Sequence, residues 1–230
     1  MNYSKTIVCL ANSRKPPSGR CVAGREILEN RYEGWIRPVS ARPTAEISLE
    51  ERRYENGQEP EILDIVDIPM IAPVPKLHQT ENHMIDPELY WTKTGTLNWA
   101  DLPALVDTPS TLWLNGDSTH YGINNCVASA VTTQFTESLF LIRPHNLNVQ
   151  VQVEGGMYGQ RRRVRADFTF NGARYNFIVT DPVAEQAFLR NPNGVSPLND
   201  VYLCISLTEA FSGDGRCHKL VATIIAEHPL

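Results

Sequence analysis

At 230 residues, with 42% hydrophobic and 20% charged side chains, the chain can bury a real core as one domain or two small ones, and wholesale disorder is excluded. The net charge of −5 argues against a general nucleic-acid coat. It hides an asymmetry, however: residues 1–45 carry eight Lys/Arg against three acids, residues 46–138 four against fifteen, and residues 139–230 nine against eight. Such a distribution suits a localised anionic ligand, with the acidic middle read as a solvated face or a protein-docking surface. The N-terminal apolar run, Ile7 to Ala11, is too short for a signal sequence, and no stretch approaches the ~20 apolar residues that span a bilayer. A cytoplasmic protein without a membrane partner is expected. Five cysteines with no CxxC pair read as reduced thiols, Cys9 and Cys204 lying in apolar strand-like runs, and no metal is expected.

Taken in chain order, Lys5 to Leu10 reads as a buried strand, and Ala11 to Gly24 as a polar loop broken by Pro16-Pro17 and Gly19. Gly34 to Ser40 reads as a short strand in which Pro38 implies an edge or a bulge. Ser48 and Glu51 have capping-box spacing, so a short helix through about Tyr54 follows. Leu63 to Ile71 is the next strand, ending in a Pro-rich loop. Residues 76–135 mix possible strands near His83 to Ile85 and Tyr90-Trp91 with helical turns near Leu102 to Val106.

The last third is more legible. Ser138 to Ile142, continuing as Asn148 to Glu154, leads into a glycine-rich turn. Arg161 to Phe170 and Ala173 to Thr180 follow as strands joined at Asn171-Gly172, a strong hairpin signal. Asp181 is placed to cap a helix through Leu189, with Pro182 in its first turn. Val201 to Leu207 and Lys219 to Ala226 close the chain. The order β-β-β-α-β-β is that of an OB-fold, a five-stranded Greek-key barrel that often binds oligonucleotides or oligosaccharides. A boundary near 135 is expected, giving an N-terminal region 1–135 and a C-terminal OB-fold 136–230.

Two basic features carry the functional reading. Along Arg161 to Phe170 the period-two pattern puts Arg162, Val164, Ala166, Phe168 and Phe170 on one face, and Arg161, Arg163 and Arg165 on the other. At ~3.3 Å per residue those three outer arginines lie ~7 Å apart, a usable spacing for successive phosphates. A solvated face has the same pattern. The second feature is the segment Asn12 to Arg25, where Arg14, Lys15, Arg20 and Arg25 accompany two Ser and two Gly. Such a loop can offer cations and backbone N–H groups to a phosphate, although it matches neither a P-loop nor GxGxxG, and an ordinary basic surface loop looks alike. Arg37 beside Trp35 can stack on a base or pair with phosphate; Trp35 is otherwise a core residue, and Tyr158 is a further stacking candidate. No reaction is indicated. Asp64 and Asp67 point to opposite faces of a strand, His78 and His83 lack an HExxH frame, and Cys126 with His120 has no nucleophile signature.

Several segments together resemble the dual OB-containing domain proteins of bacteria: Lys5 to Glu26 (KTIVCLANSRKPPSGRCVAGRE), Gly34 to Ser40 (GWIRPVS), Leu63 to Pro69 (LDIVDIP), Tyr175 to Pro182 (YNFIVTDP), Leu203 to Phe211 (LCISLTEAF) and Lys219 to Ile225 (KLVATII). The resemblance implies a mainly β protein of two OB-like Greek-key barrels with short helices; the long segment 76–135 departs from a minimal OB pattern and reads as an insertion in the first. It also implies a role with nucleic acid in bacterial conflict or anti-phage loci, and it supplies no catalytic residues. The expectation is therefore a non-enzymatic module for nucleic acid, single strands favoured, in a defence or repair assembly, with no cofactor. A nucleotide or small-anion sensor using the Ser13 to Arg25 loop remains open, as does a scaffold that docks a protein through the acidic segment 46–138.

Overall fold

The computed structural model describes residues 2–29, 31–156 and 159–230. Its contacts divide the chain into two compact units, Met1–Val106 and Asp107–Leu230.

The first unit contains β1 (Tyr3–Lys15), β2 (Gly19–Leu28), β3 (Arg31–Val39), the short helix α1 (Leu49–Arg52), β4 (Asp64–Pro73), β5 (Asn82–Ile85) and β6 (Thr92–Thr96). Strand β1 pairs with β2, β2 with β3, β3 in parallel with β5, β5 with β4, and β4 again with β1. The ring 1-2-3-5-4-1 is thus closed, as an OB barrel requires, and β6 adds to the edge of β4. Alternation explains its interior: Ile7 and Cys9 on β1 and Val66, Ile68 and Met70 on β4 point inward and are fully buried. The expected capping box is formed at α1. Ser48 Oγ accepts the Glu51 N–H, and the Glu51 carboxylate accepts the Ser48 N–H.

One expectation is corrected here. The polar stretch Ala11 to Gly24 is no loop but the paired ends of β1 and β2, in register from Ala11↔Ala23 to Lys15↔Gly19, with only Pro16-Pro17-Ser18 turning between them. Gly24 marks close packing: a Cβ there would sit 2.0 Å from the Val8 carbonyl oxygen. Pro38 lies beyond Ile36, the last residue of β3 paired with β2, and faces β5 alone, so its missing N–H breaks no antiparallel ladder.

The second unit contains β7 (Cys126–Ala128), β8 (Leu139–Ile142), β9 (His145–Gly156), β10 (Gly159–Phe170), β11 (Ala173–Val179), the helix α2 (Pro182–Leu189), β12 (Gly194–Leu198), β13 (Val201–Ala210) and β14 (Arg216–Ala226). Strands β8 and β9 together play the first barrel strand, interrupted at Arg143-Pro144. Strand β9 pairs with β10, β10 with β11, β11 in parallel with β14, β14 with β13, and β13 with β8, which closes the same ring. Asn171 and Gly172 both have positive φ, 47° and 78°, the requirement of a two-residue type I′ hairpin. Asp181 caps α2 by accepting the Val183 and Ala184 N–H groups, and its other oxygen accepts the Ile224 N–H, tying the helix to β14. Strand β12, absent from the sequence reading, lies antiparallel on the outer edge of β9.

Residues 107–135, expected to belong with the first barrel, are held by the second. Asp107 and Leu141 exchange two hydrogen bonds of 2.7 and 2.8 Å, Leu112, Trp113 and Val127 enter the second core, and Trp113 Nε1 donates to Glu137 O. All five cysteines are free thiols.

Candidate nucleic-acid interface

An OB barrel binds its ligand on the outward faces of its second and third strands and on the loops joining strands one to two and four to five. In the second unit these are the faces of β10 and β11, the β9–β10 hairpin, and residues 211–215. Valines and phenylalanines of β10 (Val164, Phe168, Phe170) lie in the core, so Arg161, Arg163, Arg165 and Asp167 project outward as the alternation predicts.

The three arginines are not equivalent. Arg161 is exposed near the hairpin, directly across from Glu154, and Arg163 is half-buried across from Gln152. Arg165 is only 6% exposed, forms a two-pronged ion pair with Glu154, and reaches Asn176 Oδ1 at 3.4 Å. Its charge is already matched, which removes it from the expected phosphate ladder. Burial pushes the Glu154 carboxyl up, but bonds from Arg165 and Gln152 and the Arg165 and Arg163 charges outweigh this and hold it below the usual range.

Beyond Arg165 the face continues as a network of fixed polar groups. Arg174 forks onto both oxygens of Asp167, at 3.0 and 2.7 Å. Asn176 Nδ2 donates to Asp167 Oδ2 and Gln150 Oε1, and Gln150 Nε2 donates to Asp167 Oδ2. Burial raises the Asp167 carboxyl, and the bonds from Arg174, Asn176 and Gln150 more than offset this. Sequence reasoning missed Gln150, Asp167, Arg174 and Asn176 as one cluster. The period-two reading applied to β9 and β11, as well as to β10, brings them onto the same face. Aromatic groups stand at both loops: Tyr121 OH donates to Gly155 O beside the hairpin, and Phe211, 58% exposed, meets His218 edge-on in the 211–215 loop. Tyr158 lies outside the described residues.

Arg162 departs from the ladder in the manner its alternation implies. Its guanidinium donates to Leu189 O, Asn191 O and Asn193 Oδ1, fastening the chain that leaves α2. Inside the barrel, Lys219 lies between Cys217 and Val221 on β14, fully buried. Its Nζ donates to Leu114 O and stands 5.9 Å from the centre of the Tyr175 ring. Burial lowers its pKa to about 8.

In the first unit, the residues of the Asn12 to Arg25 segment gather at the β1–β2 hairpin. Arg14 and Arg20 are cross-strand partners, and Lys15 is the last paired residue before the turn. Arg25 is drawn away, its guanidinium 5.0 Å above the Trp35 ring, which is itself 8% exposed. Arg37 is 2% exposed and pairs with Glu81 at 3.1 Å. Trp35 and Arg37 are therefore part of the barrel's own packing and do not form an open stacking platform. In the acidic middle, Glu46 and Glu51 meet Arg42, Glu59 meets Arg52, and Asp64 meets Lys93.

Among the described residues no group of three or more His, Cys, Asp or Glu is placed to hold a metal ion, and no helix is long and apolar enough to cross a membrane. The model of the dual OB-containing domain family matches residues 5–224. The chain belongs to that family. No curated protein and no solved structure matches this dual OB protein.

Proposed function

We propose that this dual OB protein binds single-stranded nucleic acid without catalysing a reaction, as part of a bacterial defence or repair assembly, the setting its family resemblance suggests. One observation carries the reading. Both barrels place cations at the same topological position, the hairpin between their first and second strands: Arg14, Lys15 and Arg20 in the first, Arg161 and Arg163 in the second. That hairpin borders the ligand groove of an OB-fold, where cations follow the backbone and aromatic groups receive bases. Gln150, Asn176 and the Arg174–Asp167 fork stand further along the same face, toward the Asn171-Gly172 turn, as oriented donors and acceptors for base edges.

A second reading has one feature in its favour. Arg14 and Arg20 are direct cross-strand partners beside Lys15, so three cationic side chains converge at one short turn. This suits a small phosphate-bearing ligand at the first hairpin. Fluorescence anisotropy with labelled single-stranded DNA, single-stranded RNA and duplex at 50 and 200 mM salt tests both. Nucleic-acid binding predicts tighter capture of single strands that weakens with salt. Binding of a nucleotide with little salt response, and of no oligonucleotide, replaces the first reading with the second.

A further inference from the structure

Residues 114–128 take an unusual course. At one end they follow Leu112 and Trp113, which are core residues, and at the other they become β7, paired with Arg216–His218 of β14. Between these anchors the chain touches each wall of the second barrel's ligand groove in turn. Tyr121 OH donates to Gly155 O and accepts from Gly155 N–H, at the first-to-second-strand hairpin. Ile123 exchanges two backbone hydrogen bonds, of 3.3 and 3.1 Å, with Asn176 on β11, the third strand. Asn124 Nδ2 donates to Arg174 O on that same strand. Asn125 O accepts the Lys219 N–H, and β7 then runs beside the fifth strand just after the 211–215 loop. This segment runs from that hairpin past strand three to the end of the fourth-to-fifth-strand loop, all of which border the ligand surface of an OB-fold.

The outward face next to this path carries closely packed polar groups, Arg165 held by Glu154 and Asn176 by Gln150 and Asp167. Arg165 and Asn176 project outward from the barrel yet are each only 6% exposed. The strap itself is lightly held: residues 114–118 and His120 are exposed, and its contact with β11 is one isolated bridge plus the Asn124 amide. At its start Lys219 Nζ donates to Leu114 O, and most of its other bonds are internal, such as the Gly116 N–H to Asn124 Oδ1 and the Thr119 N–H to Asn125 Oδ1. A run of exposed residues with little buried apolar surface is the mark of a segment that opens locally, below the cost of global unfolding.

We propose that residues 114–125 are a displaceable strap that occupies the second barrel's groove and must leave β11 before nucleic acid reaches Gln150, Arg165, Asp167 and Asn176. The site is the one proposed above, so this rests on that reading; the opening of the strap does not. Binding would exchange one extended chain for another, and the strap would set the apparent affinity by the fraction of time it is away.

A reversible lock tests this. Ile123 and Asn176 form a hydrogen-bonded antiparallel pair, whose Cα atoms stand at about 5.5 Å, within disulfide range. The double variant Ile123→Cys/Asn176→Cys, oxidised and then reduced, compares a closed and a free strap in one sequence. Both forms of this variant lack the Asn176 amide, so they are compared only with each other: labelled single-stranded oligonucleotide should bind the oxidised form at least tenfold more weakly than the reduced form. In the unaltered protein without ligand, the Ile123 amide should exchange with solvent at least a hundredfold faster than that of Ala166 in the middle of β10. Equal binding by the oxidised and reduced forms, or an Ile123 amide as protected as Ala166, overturns the strap. If no form binds any oligonucleotide, the nucleic-acid reading falls, and hydrogen exchange alone decides whether the strap opens.

Discussion

Replacing Lys219 by Met should remove a pH-dependent handicap from the second barrel. The ammonium is fully buried, and burial lowers its pKa from 10.5 to about 8. A lysine depressed in this way is penalised while charged, so the handicap is complete below the folded pKa and fades as pH rises toward the unfolded value. With about 1.4 kcal/mol for each tenfold change in proton affinity, the cost is about 3 kcal/mol at pH 7 and under about 1 kcal/mol at pH 10. A folded-state pKa is net of every contact the ammonium makes, so the bond to Leu114 O and the Tyr175 ring are already counted in this cost. The informative quantity is how the difference between the two changes with pH. Urea denaturation of parent and variant at pH 7 and pH 10 should show the parent gaining about 2.5 kcal/mol on the variant, roughly 1 M in relative midpoint at a slope of about 2 kcal/mol/M. Other titrating groups are common to both chains and cancel. A parent–variant difference that stays constant within about 0.5 kcal/mol would refute the reasoning and mean that the amine is solvated in the folded protein.

The remaining expectations separate binding from architecture. Arg161→Ala and Arg163→Ala should each lower the salt slope of single-strand binding by about 0.7 while leaving the melting temperature nearly unchanged. Arg165→Ala should do the reverse, costing about 3–5 kcal/mol by leaving Glu154 buried and unpaired, which thermal melting reads directly; a destabilisation below 1 kcal/mol would return Arg165 to the ladder. Arg37→Ala should destabilise the first barrel comparably through Glu81 and leave oligonucleotide affinity intact. A fragment of residues 138–230 should fail to give a cooperative melt, because it lacks Leu112, Trp113 and Val127 from its own core; a sharp transition from that fragment would contradict the packing described.

How much of this was legible in the sequence depended on whether the determinant was local. Asn171-Gly172, Asp181-Pro182 and the Ser48–Glu51 box act within four residues, and each stands in the structure where the pattern places it. Strand β2 was hidden because its glycines read as turn signals, whereas Gly24 is needed for the approach of the Val8 carbonyl and Gly19 for that of Glu46. Alternation assigned Arg165 to the correct face but carried no word of what meets it there, since Glu154 is eleven residues away on the neighbouring strand. Arg37 was misread for the same reason, its partner Glu81 arriving from the loop between β4 and β5. The segment 107–128 has no period at all. Its course is set by the burial of Leu112, Trp113 and Val127 and by backbone bonds to Asn176 and to β14, distant partners that local patterning does not name.

Strand β12 has a bearing on how this protein meets others. Placed against β9, it hands the sheet's outer boundary to five residues, one of them Pro197, which has no N–H to offer a newcomer. A short rim interrupted by proline is a poor template for a further strand, so copies of the chain gain little by zipping together there, even when crowded. Whatever partner approaches that side of the second barrel has to be recognised by side chains, and its specificity would be open to change by single substitutions that leave the ladder beneath untouched.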